Sequence, residues 1–336
     1  MINQISLLGN STAQAGRLKG LNVQLQDLQR QLASGKKHNT LSDFKTDAFR
    51  IQDLRAESSR LDVYSKNMKR VNTRMNIMLD SVEQMRELGN QIQDTIQIQT
   101  REGEVDIQDI NTVGDMNISF LYDLMNAKDG DRYLFAGTDS NNRPLESIDN
   151  LVNTMDAEVA NWLDGSQTYD EMIANIDNLS DKALGLSDSL SSAGEVTVKV
   201  DNNVNIDYSI KADEDGFKDM LKGFALAKAI RFPDAATDIG TESEFHKLLT
   251  YTGNLVAGGV EKAKDASYSL SSQYSLLKNV QQQNTQEQGM LTTMIEEKEN
   301  ADPSEVVIGI QAMQTQLTAS YEVTRIMSEM SLVNFL

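Results

Sequence analysis

The sequence predicts a mainly α-helical protein with a smaller mixed α/β insert. Three observations support this fold class: heptad repeats of apolar residues near both ends of the 336-residue chain, a content of only 3 prolines and 6% aromatics, and strand-like alternation near the middle. Few prolines permit long uninterrupted helices, and a heptad seam needs a second helix to cover it. We therefore expect a long antiparallel coiled-coil helical bundle built from both chain termini, with a domain inserted in the middle.

The first two helices are predicted from leucine and methionine repeats. Five leucines step by 3, 4, 3 and 4 residues: Leu18, Leu21, Leu25, Leu28 and Leu32. Gly35 then stops this helix, because glycine is common just past a helix end. A second helix is predicted at residues 45–100, where eight positions keep the same alternation: Leu61, Tyr64, Met68, Val71, Met75, Met78, Val82 and Met85. A period of about 3.5 residues places such side chains along one seam.

Three more helices follow from the same periodicity. One spans residues 106–127 after a turn at residues 100–103, with Ile110, Val113, Phe120 and Leu124 in phase. The next keeps one register throughout: Val256, Val260, Ala263, Ser267, Leu270, Tyr274, Leu277, Gln281, Asn284, Gln288, Leu291 and Ile295. Its polar seam positions cost stability but fix register and partner choice. The last helix begins after Ser304 and places five residues on one face: Val306, Ile310, Met313, Leu317 and Tyr321.

The middle of the chain has a different residue pattern, with strand-like alternation and turn residues. Residues 132–137 have strand-like content, and residues 195–200 and 204–210 alternate on either side of an Asp-Asn-Asn turn, which is typical of a β-hairpin. Helix-like stretches at 166–186 and 216–230 flank the hairpin. We therefore predict three parts: terminal helices at 1–44 with 301–336, a helical bundle at 45–130 with 251–300, and a mixed α/β insert at 131–250.

Charge limits the partners that the chain can bind. The net charge is −19, which argues against nucleic acid because such binding needs a basic surface. Residues 131–250 hold ten basic and twenty-three acidic side chains, as expected for a solvated domain. Residues 1–40 carry a net charge of +4 and residues 301–336 a net charge of −3, so the two ends suit mutual pairing. No apolar window is long enough for membrane insertion, and no secretory signal is visible.

No phosphate-binding, calcium-binding or catalytic motif has the residue spacing that its function requires. The Gly35-Lys36 pair lacks the earlier glycine and the following Ser or Thr of a phosphate-binding loop. Asp213-Glu214-Asp215-Gly216 fails as a calcium loop, because lysines occupy its first and last ligand positions. The chain has no cysteine, and His38 and His246 lie near no catalytic pattern. We therefore expect no enzyme activity, no catalytic or metal site and no cofactor, and we interpret the methionine repeat as packing.

Two short segments carry a family resemblance. Leu32-Ala33-Ser34-Gly35-Lys36-Lys37 breaks the first heptad helix, and Ser42-Asp43-Phe44-Lys45-Thr46-Asp47-Ala48 opens the next one. This order resembles the bacterial flagellin superfamily, which keeps helices at both termini and a variable domain in the middle. The resemblance covers residues 1–137 and 255–336. The chain departs from the usual Asp-Asp-Pro or Asp-Asp-Ala-Ala-Gly after the break, where it has Asp43-Phe44-Lys45-Thr46-Asp47.

Within that superfamily, the chain looks most like the hook-filament junction proteins, the third hook-associated type. Filament flagellins usually carry a Phe-Asn-Gly…Leu-Leu-Asp-Gly segment after the second long helix. This chain has Gly130-Asp131 there, followed by the family motif Arg132, Tyr133, Leu134, Phe135, Ala136 and Gly137. The ending from Ala319 to Leu336 is also closer to the junction proteins.

The resemblance implies a structural component of the bacterial flagellum that connects the hook to the flagellin filament and is needed for filament attachment and motility. Such a protein is exported through the type III apparatus and is secreted to the extracellular hook-filament junction. The partners implied are other copies of the chain in a ring or helical assembly, flagellin, the other hook-filament junction protein and a flagellar export chaperone.

The resemblance also implies roles for particular residues. The assembly interface would be formed by Leu18, Leu21, Leu25, Leu28, Leu32, Val306, Ile310, Met313, Leu317 and Tyr321. Ser34, Gly35, Lys36 and Asp43 would form an interlayer spoke between the inner helices and the long outer helix. Helices with one exposed seam are marginal in water until a partner covers them. We therefore expect the terminal helices to become ordered only on assembly, which amide exchange on the isolated subunit would show.

Two other functions fit parts of the sequence. A flagellin-type filament subunit shares the terminal helices and differs in location. A cytoplasmic coiled-coil signalling or adaptor protein would account for the glutamine-rich seam and the acidity, but it leaves the mixed insert without a role.

Overall fold

The computed structural model describes residues 2–102 and 106–333, and side-chain surroundings within 12–99 and 106–327. The α-helices are α1 (Ile2–Ser34), α2 (Asp47–Glu102), α3 (Ile107–Met125), α4 (Asp149–Leu163), α5 (Tyr169–Asp177), α6 (Asp215–Ala229), α7 (Glu242–Glu299) and α8 (Pro303–Val333). Two antiparallel pairs of short strands join β1 (Lys128–Asp129) to β2 (Arg132–Tyr133) and β3 (Thr197–Lys199) to β4 (Asn205–Asp207). The predicted fold class, mainly α with a small mixed insert, is confirmed.

The chain divides into two compact units. The first is built from the start of the chain up to residue 62 and from its end, residue 285 onward. The second comprises residues 63–284. In the first unit, α1 pairs with α8. In the second, α6 is the central element, packed by α3 and α4. The boundaries predicted at residues 44, 130, 250 and 300 stay predictions.

The predicted methionine-rich seam of α2 is the buried face of that helix. Seven of its eight residues are buried: Leu61, Met68, Val71, Met75, Met78, Val82 and Met85. Tyr64 is partly buried and donates its hydroxyl hydrogen to Asn202 at 3.2 Å. In α7 the predicted seam also points inward, with Val256, Val260, Ala263, Leu270 and Leu277 buried.

Several predicted elements differ from the observed ones. The helix expected at 166–186 is only α5, because Thr168 and Glu171 cap its start and Asn178 ends it by donating its side-chain amide to the Ala174 carbonyl at 2.7 Å. Of residues 132–137, only Arg132 and Tyr133 form a strand, and Gly137 turns the chain with φ +58°. The turn expected at 100–103 starts too early, since α2 continues to Glu102 and Gly103 lies outside the described residues. Helix α4 was not predicted.

Helix α6 is buried on nearly every side. Its glycines permit close approach: a Cβ on Gly223 would lie 2.3 Å from the Val256 side chain of α7. Asn111 of α3 caps its C-terminal end: its Nδ2 lies 2.9 Å from the carbonyl oxygens of Ala227, Lys228 and Ile230, which share its two amide hydrogens. These carbonyls have no partner within the helix, so the amide supplies one.

Candidate functional site

The terminal helices α1 and α8 form an antiparallel pair. The Ala301 amide donates to the Gly35 carbonyl at 2.9 Å, a Cβ on Gly309 would lie 3.2 Å from Leu28, and the Gln14 amide lies 3.1 Å from the Met327 sulfur. Residue numbers therefore rise along one helix as they fall along the other. The two heptad seams read from the sequence run alongside each other.

The residues predicted for the assembly interface lie mostly between these two helices. Val306 and Leu317 are buried, and six others are partly buried: Leu18, Leu21, Leu25, Leu28, Ile310 and Met313. Leu32 and Tyr321 remain 45% and 55% exposed. The described pairing therefore covers this seam incompletely, and its role between subunits stays a prediction.

Helix α8 has a second apolar face that was not predicted from the sequence. Six positions step by 4, 3, 4, 4 and 3 residues, all are exposed and none is charged: Ile308, Ala312, Thr315, Ala319, Val323 and Ile326. We call them the outer face of α8. Ile308 is 67% exposed and Val323 is 49% exposed. This face lies on the other side of the helix from Val306 and Leu317, so α8 is apolar on two sides. Its helical spacing was visible in the sequence.

The predicted interlayer spoke is joined by hydrogen bonds to the connection between α7 and α8. Gly35 adopts φ +68°, which favours glycine, and ends α1 with its backbone N–H donating a hydrogen bond to the Gln31 carbonyl at 2.8 Å. The residues after Gly35 pair with the connection between α7 and α8. The Lys37 amide donates to the Glu299 carbonyl at 2.8 Å, and Lys36 forms an isolated antiparallel β-bridge with Asn300. The α1–α2 connection and the α7–α8 connection are therefore joined by backbone hydrogen bonds.

The side chains of the spoke add local contacts. Ser34 Oγ accepts from the Lys36 amide at 3.2 Å. Asp43 lies in the 3₁₀ turn Leu41–Phe44 and accepts from Thr40 Oγ1 at 2.8 Å. Lys45 follows with φ +50°, the only positive φ at a non-glycine residue in the described part of the chain. A non-glycine residue with positive φ is strained, so the surrounding hydrogen bonds hold this turn in place.

A buried carboxylate lies at the centre of this junction. The Glu299 side chain is only 5% exposed, and Lys36 Nζ binds one of its oxygens at 3.0 Å. Arg55 approaches the other oxygen at 2.6 Å, at an angle that forms no hydrogen bond. These groups line a cleft of about 160 Å³ together with His38, Asn39, Thr40, Leu41 and Phe44. Charge pairing adds to the backbone hydrogen bonds between the two connections, and Glu299 and Arg55 were not predicted.

Replacing Glu299 by glutamine should loosen this junction. The two cations then lose the buried charge that they face, and since both are about half exposed we expect a modest effect of about 1–2 kcal/mol. Hydrogen exchange at the Lys37 and Ala301 amides should become about tenfold faster. Glu297→Gln is the matched control, because that side chain is exposed. Equal exchange rates in the two variants would show that the Glu299 charge does not hold the junction.

The predicted family motif lies in the second unit. Arg132 is exposed and Tyr133 partly buried beneath Lys128, whose Nζ lies 4.2 Å from the ring centroid. The other four residues, Leu134 to Gly137, are buried. Phe135 packs edge-on against Phe217 of α6 at 6.0 Å, and its carbonyl accepts from the Ala212 amide. The motif thus anchors the connection after α3 to the central helix.

The described residues form neither a metal-binding cluster nor a membrane span. Among them, no group of three or more His, Asp or Glu side chains is arranged to hold a metal ion. In the same part of the chain, no helix has the combined length and apolarity that crossing a bilayer requires.

Comparison with known proteins identifies a shared fold. No family model and no curated protein matches the chain. Among solved structures, the fold matches a Vibrio parahaemolyticus protein that is provisionally described as flagellar hook-associated. The TM-score is 0.51 at 13% identity, and the match covers 77% of this chain and all of the other. At this identity, the likeness shows the architecture alone.

Proposed function

We propose that the chain is a structural subunit of the bacterial flagellum that acts at the hook-filament junction. The observation that carries this proposal is the pair of apolar faces on α8. One face packs on α1, whereas the outer face, with Ile308 and Val323, is uncovered in the subunit. A helix that is apolar on two sides is suited to an assembly in which further helices surround it.

Two independent observations favour a flagellar assembly over other helical assemblies. The first is the sequence resemblance of residues 32–48 and 130–138 to the flagellin superfamily and its junction proteins. The second is the fold shared with a solved protein whose description is flagellar and hook-associated. The junction assignment itself depends on the Arg-Tyr-Leu-Phe-Ala-Gly motif and on the chain ending.

Copies of the chain associate with each other through the terminal helices, in contact with flagellin on one side and the other junction protein on the other. An export chaperone escorts the chain to the type III apparatus, and the assembled protein is extracellular. It works without catalysis and without a cofactor, and it binds neither nucleic acid nor membrane.

The position of the protein on intact cells tests this proposal. An antibody or fluorescent label should give one spot at the base of each filament. Deleting the gene should leave flagellin production intact but release flagellin into the medium. Label along the whole filament would instead indicate a filament subunit, and label confined to the cell interior would indicate a signalling or adaptor protein.

A further inference from the structure

Helix α3 carries an exposed apolar stripe with an acidic residue at each end. Its members step by 4, 3, 4 and 3 residues: Asp109, Val113, Met116, Phe120 and Asp123. We call this set the α3 stripe. Met116 is 52% exposed and Phe120 is 53% exposed. Asp109 accepts a hydrogen bond from Gln99 at 3.4 Å, which leaves its second oxygen available. An amphipathic helix ordinarily buries such residues, so the stripe is suited to a partner.

Helix α7 carries a stripe with the same spacing and the opposite charge. Its members are Lys264, Tyr268, Ser271, Ser275 and Lys278. We call this set the α7 stripe. Tyr268 is 62% exposed, and the two lysines contact neighbours on the same helix, Lys264 with Glu261 at 2.9 Å and Lys278 with the Tyr274 ring at 5.2 Å. These neighbours leave each lysine with further ammonium hydrogens to donate.

The two stripes are complementary when the helices lie parallel. Asp109 then faces Lys264 and Asp123 faces Lys278, since both pairs of charges are 14 residues apart, which is about 21 Å along a helix. Between them, Met116 faces Ser271 and Phe120 faces Ser275, so two large side chains meet small ones. Tyr268 faces Val113, which is partly buried in its own subunit. Alternation of large and small residues across facing positions is how helix surfaces interlock.

We propose that the α3 stripe of one copy binds the α7 stripe of a second copy. The proposal rests on the self-association inferred above and adds to it a contact made by the second unit. Because two different surfaces meet, the contact is heterologous, and its repetition builds a ring or a helical array rather than a closed pair.

Cysteine crosslinking tests the contact directly, because the chain has no cysteine of its own. Full-length Met116→Cys and Ser271→Cys chains are mixed and oxidised under conditions in which the wild type sediments as an oligomer. We expect a disulfide-linked dimer in the mixture and little in either chain alone. Ser272→Cys is the matched control, since it is exposed and lies about 100° further round α7. Equal crosslinking through both positions, or none through Ser271→Cys, would overturn the contact.

Charge reversal supplies the second measurement. Asp109→Lys with Asp123→Lys in the Met116→Cys chain should lower the yield of crosslinked dimer about tenfold. Lys264→Asp with Lys278→Asp in the other chain should restore it. Reduced yield without restoration would contradict the pairing. If the wild type associates but the crosslink never forms, this contact alone is wrong. If the wild type stays monomeric under every condition, self-association is wrong as well.

Discussion

Placing glutamate at both Ile308 and Val323 is expected to abolish assembly while leaving the subunit folded. Both side chains lie on the outer face of α8, where the subunit does not cover them. Solvated carboxylates there should change the free energy of unfolding by less than about 0.5 kcal/mol. In an assembly the same carboxylates would be buried without partners, so the concentration needed for assembly should rise at least about 100-fold. Sedimentation velocity over a concentration series measures that change.

A control variant tests whether the position of the two added charges on α8, rather than their number, prevents assembly. Gln311→Glu with Gln314→Glu adds the same two charges to α8 at exposed residues outside the outer face. This variant should assemble at a concentration close to that of the wild type. If both double variants assemble normally, the outer face is not an interface, and the observation on which the proposed function depends is lost.

Gly259→Ala should lower the free energy of unfolding of the second unit by about 2 kcal/mol. The added Cβ would lie 2.8 Å from the Gly216 carbonyl oxygen and 2.9 Å from Met220 Cγ. The oxygen belongs to the backbone of α6, and α6 has little room to move because it is buried on nearly every side. Urea denaturation followed through Trp162 measures the effect, since it is the chain's one tryptophan and is 2% exposed in the same unit.

The neighbouring glycine provides the matched control for this change. A Cβ on Gly258 would meet nothing within 4 Å. Gly258→Ala should therefore raise the free energy of unfolding by about 0.5–1 kcal/mol, the usual gain of alanine over glycine inside a helix. Equal destabilisation by both substitutions would show that the close crossing of α6 and α7 does not set the cost.

The sequence predicted long helices well where the apolar repeat was strict. Eight consecutive positions of α2 kept heptad spacing, and seven are buried. Prediction was poorer where two repeats share one helix. In α3, Phe120 fits a seam by spacing, yet the core takes the neighbouring positions Ile118 and Leu121 and leaves Phe120 exposed. Spacing alone does not tell which of two stripes faces the subunit's own core.

The start of α7, which falls inside the predicted insert, was missed although its Thr-x-x-Glu capping pattern is visible in the sequence. Helix α7 begins at Glu242, well before the predicted seam, because Thr241 and Glu244 exchange hydrogen bonds at its start and Phe245, Leu248 and Leu249 are buried. In the candidate site, the leucine and valine positions were predictable from periodicity. Glu299 and Arg55 were not, since they are 244 residues apart and meet only in the folded unit.

The enclosure of α6 has a consequence for the order of events during folding. Its neighbours come from α3 and α4, which precede it, and from α7, which follows it. A chain still leaving the ribosome therefore lacks the α7 surface that α6 packs against until α7 has been made. Contacts between such distant segments carry a large loop-closure cost and slow the search for the native state. The second unit should accordingly fold late, which leaves a long interval in which a helper protein can hold the chain open.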